Sequence, residues 1–108
     1  MSRIYLGELE ELVLLIVALL SDEGYGVTIA QELKSRADRD ISISAVHAVL
    51  HRLNDKGFVK SKMGAASEER GGRRKRLFTI TAHGRTALAE IRDTRNMIWN
   101  MVANASAS

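Results

Sequence analysis

Five cationic side chains, Arg70, Arg73, Arg74, Lys75 and Arg76, crowd into a short segment around Gly71 and Gly72. Such side chains bring charge and hydrogen-bond donors to phosphate oxygens, and a flexible basic loop can follow a nucleic-acid backbone or enter a minor groove. A solvated charged loop has the same composition, so the cluster alone leaves both readings open. Upstream, His47 and His51 stand four residues apart, which on a helix places them on one face. That spacing holds zinc in H-E-x-x-H sites. Here Ala48-Val-Leu50 intervenes, with no Glu base and no evident third ligand, so no metal is expected and contact with DNA or plain exposure remain. Ser42 and Ser44 can cap a helix, meet phosphate, or do both. Arg52 can reach DNA or pair with Asp55 or Asp22.

Catalytic constellations are missing. The sequence contains no cysteine, which removes disulfides, thiolate metal sites and a cysteine nucleophile, and is consistent with a reducing cytoplasm. Gly24-Tyr-Gly26 is a weak nucleotide-loop signal, because no strand precedes it and no third glycine follows. There is no paired acid and base and no nucleophile elbow, so neither an enzyme nor a cofactor is expected. No secretory leader is visible. The longest apolar run is Leu12–Leu20, well short of the ~20 residues of a membrane span.

Charge distribution is more informative than the net +3 of the 108 residues. Residues 1–51 hold four basic and eight acidic side chains, residues 52–76 nine and three, and residues 77–108 three and two. A basic middle between acidic or neutral flanks points to a local anionic partner, usually nucleic acid.

These residues need a scaffold, and the periodicities outline one of about a single domain. Acidic Glu8, Glu10 and Glu11 suit the positive end of a helix over about 8–21, apolar nearly all round and therefore buried on more than one side. Ile29, Ala30, Leu33 and Ala37 share one face of a second helix, Val27–Ala37. Ile41-Ser42-Ile43 is β-prone. Ser44 then resembles the cap of a third helix, which buries Val46, Val49, Leu50 and Leu53 and ends at Gly57. Its opposite face, with Ala45, His47, Ala48, His51, Arg52 and Asp55, is small and polar enough to approach another surface. Phe58–Lys62, with lysines including Lys62 on one side, and Lys75–Thr81 predict a hairpin with a long loop, Met63–Arg74. Thr81 can cap a last helix over Ala82–Asn104, on which Leu88, Ile91, Arg95, Ile98 and Val102 alternate at 3 and 4 spacing beside Trp99. That stripe suggests packing on the first helix, on a second copy, or on both.

Three segments carry a resemblance. Gly24-Tyr-Gly26 is one. Ser42-x-x-x-Val46-x-x-x-Leu50-x-Arg52-Leu53-x-x-x-Gly57-x-Val59 is the second. Glu69-Arg-Gly-Gly-Arg73-x-Lys75-Arg76-x-Phe78-x-Ile80-Thr81-x-x-Gly84-Arg85 is the third and the most specific. Over about residues 5–102 the chain resembles the PadR family, short branch. The resemblance implies a mainly α fold with a small β-hairpin: a winged helix-turn-helix over about 8–81, followed by a dimerisation helix over about 82–104. It implies a homodimeric transcriptional regulator, usually a repressor, on an inverted-repeat operator. The last helix would dimerise together with the first, through Leu12, Ile16, Leu88, Ile91, Arg95, Ile98, Trp99 and Val102. Double-stranded DNA would meet Ser42, Ser44, Ala45, His47, His51 and Arg52 on the third helix, and Lys62, Arg70, Arg73, Arg74 and Lys75 on the wing. Some relatives bind planar aromatic compounds between the dimer's last helices, a role open to Trp99 alongside simple packing. The chain departs from the family pattern at Ser44, where Gly is frequent, and at His47, where a DNA-contacting Tyr is frequent. A winged-helix module that binds another protein is the competing expectation.

Overall fold

The computed structural model describes residues 6–66 and 74–107. Its elements run α1 (Glu8–Leu20), a single 3-10 turn (Ser21–Glu23), α2 (Gly26–Ala37), α3 (Ile43–Asp55), β1 (Val59–Ala66), β2 (Arg74–Ile80) and α4 (Ala82–Ala107). Three helices and the base of the hairpin enclose one core. Val13, Leu14, Ile16 and Val17 of α1 meet Ile29 and Leu33 of α2, Val46, Val49, Leu50 and Leu53 of α3, and Phe58, Val59, Phe78 and Ala87. Burying each large side chain contributes roughly 1.5–3 kcal/mol, which is what draws an apolar α1 into the middle.

Local chemistry sets the helix ends. The Tyr25 N–H donates to Thr28 Oγ1 at 3.0 Å and opens α2. α3 is capped two residues earlier than the sequence suggests: Ser42 Oγ, not that of Ser44, accepts the Ala45 N–H at 3.1 Å. Ser42 has the extended backbone a cap requires, φ −65° and ψ 153°, whereas Ser44 already lies inside the helix. The β propensity of Ile41 and Ile43 is thereby overruled, and no strand forms there. The short extended piece lies instead at Gly24, which bridges Phe78 in an antiparallel sense.

The hairpin pairs Val59 with Ile80, Ser61 with Phe78 and Met63 with Arg76, and its register shifts between Met63 and Ala66. β1 therefore runs past the expected end at Lys62, because pairing with β2 overrides the poor strand propensity of Gly and Ala. Thr81 joins wing to helix: its hydroxyl donates to Gly57 O at 2.7 Å and accepts the Gly84 N–H at 3.0 Å. α4 then extends for 26 residues, three beyond the expected Asn104. From Arg92 to Ala105 its side chains are exposed.

The acidic first turn of α1 does more than face the helix dipole. Both Glu8 oxygens accept from Arg39 at 2.8 Å, beyond α2. Glu10 takes the Gly7 N–H at 2.8 Å and Lys56 Nζ at 2.8 and 3.0 Å, with Arg52 at 3.7 Å. Glu11 accepts from Arg95 of α4 at 2.8 Å. Three neighbouring carboxylates thus tie down three other parts of the chain.

Glu10 is buried, and burial disfavours its charge. The hydrogen bond from Lys56, the Gly7 N–H and the charges of Lys56 and Arg52 outweigh that cost and hold its carboxyl below the ordinary glutamate range. Such a group contributes stability that is complete above the unfolded pKa, about 4.3, and that is lost as pH falls through the folded value. Glu10→Gln should lower unfolding free energy near pH 7 by about 1–2 kcal/mol. The gap from the parent should close below about pH 4 in urea titrations; a gap independent of pH would mean the charge is not responsible. Gly84 supplies a second test. A β-carbon there would collide with the Phe58 carbonyl oxygen and meet Ile80 Cγ1 at 2.8 Å. Gly84→Ala should cost about 1–3 kcal/mol in thermal or urea unfolding, despite the better helix propensity of alanine.

Candidate nucleic-acid interface

With Val46, Val49, Leu50 and Leu53 turned to the core, α3 presents Ser44, His47, Ala48 and His51 to solvent, with Ala45 half-buried beside them. None of these is acidic. The first carboxylate along the helix is Asp55, 3.7 Å from His51 Nε2. His47 is seated rather than free: its ring lies edge-on to Phe78 of β2, with centroids 6.3 Å apart. A β-carbon on Gly26 would come within 2.5 Å of its Nε2. The start of α2, the middle of α3 and the wing strand therefore converge on one histidine. Sequence reasoning missed Gly26 in this role. The signal was the glycine pair flanking Tyr25, whose use depends on a helix 20 residues away.

Arg52 is placed differently from its neighbours. Its guanidinium stands by Glu10, with Lys56 on the same carboxylate; the partner is neither Asp55 nor Asp22. Ser42 serves as the cap.

On the hairpin, Lys60 and Lys62 are exposed and share one side of β1. Arg76 donates to Ser61 Oγ at 3.2 Å across the ladder. Lys75 Nζ lies 4.4 Å from the centroid of the Tyr25 ring. Arg74 opens β2 opposite Ala66, while Arg70 and Arg73 lie outside the described residues.

A second surface is apolar. Among the described residues, seven of the nine exposed large hydrophobics lie on α1 and α4: Leu15, Leu19, Met97, Ile98, Trp99, Met101 and Val102. Trp99 is 69% exposed and, with Arg95, Ile98 and Val102, lines a groove of about 310 Å³. Of the other residues expected at an interface, Ile16 is in the protomer's own core, Leu12 and Leu88 pack partly on that core, and Ile91 is half-buried. Leu15 and Leu19 were not picked out from sequence, because an unbroken apolar run has no polar residue to mark its outer side. Arg95, the charged interruption in the seam, is matched by Glu11.

Helix-turn-helix, antiparallel wing and following long helix together define a winged helix-turn-helix protein. The model of the PadR-like family of transcriptional regulators matches residues 14–90, and the chain belongs to that family. Solved structures share the fold. A PadR family transcription regulator from Clostridium difficile is 24% identical with a TM-score of 0.70, the match covering 94% of this chain and 100% of that one. A PadR-like transcriptional regulator from Bacillus cereus is 21% identical with a TM-score of 0.72, over 93% and 92%. PadR of Bacillus subtilis, solved in complex with operator DNA, is 20% identical with a TM-score of 0.63, over 77% of this chain and 45% of that one. No curated protein matches the chain.

The packing of His47 is open to a direct check. Gly26→Ala should push the imidazole off its seat. In NMR spectra of the histidine ring protons, His47 should lose the ring-current shift from Phe78 while His51 keeps its position. An unmoved His47 resonance would show that the ring does not rest there.

Proposed function

We propose that the chain is a homodimeric, sequence-specific DNA-binding regulator, acting as a repressor on an inverted-repeat operator. The observation that carries this reading is the outer face of α3, small, hydrogen-bonding and without a carboxylate before Asp55, set beside a basic hairpin. A helix of that character fits a major groove and can present side chains to base edges. Ser44, Ala45, His47 and His51 are the contacts proposed there, with the N-terminal end at Ser42 close to phosphate. Lys62, Arg70, Arg73 and Arg74 would neutralise the backbone from the wing, and Arg52 would stay near α1 unless DNA draws it from Glu10. The solved complex of Bacillus subtilis PadR with operator DNA supports the assignment.

The exposed apolar residues of α1 and α4 support a second copy as the partner that covers them, since large apolar side chains left in water are costly. Two recognition helices related by a twofold axis would then meet two half-sites about 34–36 Å apart. The groove beside Trp99 would lie at that junction. A planar aromatic ligand there could release DNA, provided it binds one dimer geometry better than the other. No described helix is long and apolar enough to cross a membrane.

Fluorescence anisotropy with fragments from upstream of the chain's own gene and its neighbours, under excess competitor DNA, tests the proposal. The parent should bind one fragment tightly, and the Arg73→Ala, Arg74→Ala double variant should lose at least about tenfold. The slope of log K against log salt should shrink by about 1.8 if both arginines neutralise phosphates. Light scattering should give twice the chain mass. A monomer that binds no fragment even at low salt would sink the reading and favour a module that docks another protein.

A further inference from the structure

We infer that Lys75 is a positioning residue, which fixes the wing angle through the Tyr25 ring rather than by neutralising a phosphate. The inference rests on the DNA-binding reading for its consequence, but its geometry is a property of the free protein.

The wing meets the body at the turn before α2. The Phe78 N–H donates to Gly24 O at 2.7 Å. With Phe58, Val59 and Phe78 buried in the core, this bond completes the anchor at the base of the ribbon and leaves the outer half able to rock about it. A further contact lies three residues nearer the tip, about 10 Å along the strand, where the Lys75 ammonium stands 4.4 Å from the Tyr25 centroid. Tyr25 is itself held, because its N–H caps α2 on Thr28. Two points separated along β2 define an angle where one does not. The same turn continues into Gly26, against which His47 packs, so the wing and the recognition face of α3 share one reference.

The surroundings of Lys75 argue against a phosphate contact. It borders a cleft of about 380 Å³ that is also lined by Asp22 and Glu23. Two carboxylates favour the ammonium where it is and repel a phosphate brought to the same place. An ammonium over a ring at a partly exposed site shifts a two-state balance by about two- to fivefold. If that balance is between wing angles, losing the contact weakens DNA binding by the same factor, because only the competent fraction binds.

A double-mutant cycle tests this with Lys75→Met, Tyr25→Leu, the pair together, and Lys75→Arg, all checked for intact folding by circular dichroism melting. Native-state hydrogen exchange of the Phe78 and Leu77 amides in the free protein is the first readout. Each single variant should speed exchange about two- to fivefold, the double variant no further, and Lys75→Arg should retain protection. Duplex binding across a salt series is the second. Lys75→Met should weaken affinity two- to fivefold with an unchanged salt slope, and Tyr25→Leu should cost nothing more on top of it. A salt slope reduced by about 0.9 in Lys75→Met, or additive effects in the exchange assay, would overturn the inference. A parent that binds no DNA would instead defeat the regulator reading, and the exchange cycle would still decide the role of Lys75.

Discussion

The structure turns on one helix that cannot face water. α1 is apolar on nearly every side, and Val13, Leu14 and Val17 are fully buried. α2, α3, the base of the hairpin and the start of α4 shelter most of its circumference and leave Leu15 and Leu19 exposed. Around the core, what the fold exposes lies opposite α1, while α4 beyond Arg92 runs on exposed on every side. The outer face of α3 points away from the core for this reason, and so does the wing, whose base reaches the core through Phe58, Val59, Phe78 and Ile80.

Orientation is then refined by charge. Apolar packing is non-directional, and a helix can slide or rotate against α1 at little cost. The carboxylates of Glu8, Glu10 and Glu11 each hold a different cation, Arg39, Lys56 and Arg95, from three separate parts of the chain. Exposed pairs of this type contribute only about 0–1 kcal/mol each to stability. Their value here is geometric, since they fix the loop before α3, the end of α3 and the exit direction of α4 against one rigid turn. Only the Glu10 pair is buried enough for its loss to matter strongly to folding.

Basic residues that look alike in composition consequently separate by role. Arg52 and Lys56 face Glu10, Arg95 faces Glu11, Arg76 bridges the hairpin ladder to Ser61, and Lys75 lies over Tyr25. Lys60 and Lys62 remain outward. Counting cations therefore overstates the charge left free to meet a polyanion.

Much was legible from sequence because it depends on local periodicity. The four helices, the hairpin, the apolar face of α3 and the Thr81 cap all follow from spacing of apolar residues and from short-range hydrogen bonding. The family pattern was legible in Gly24-Tyr-Gly26 and in the wing motif. Contacts between residues far apart in the chain were not. Nothing in the sequence of α3 says whether Ser42 or Ser44 caps it until the backbone at Ser42 is extended. The all-apolar run of α1 hides which leucines stay exposed, because periodicity vanishes when every position is apolar. The partners of Arg52 and Lys75, and the seat of His47 on Gly26, arise only when packing around α1 brings segments 20 to 50 residues apart within a few ångströms. Local chemistry chose the elements; burial of one helix decided which of their side chains remain free to act.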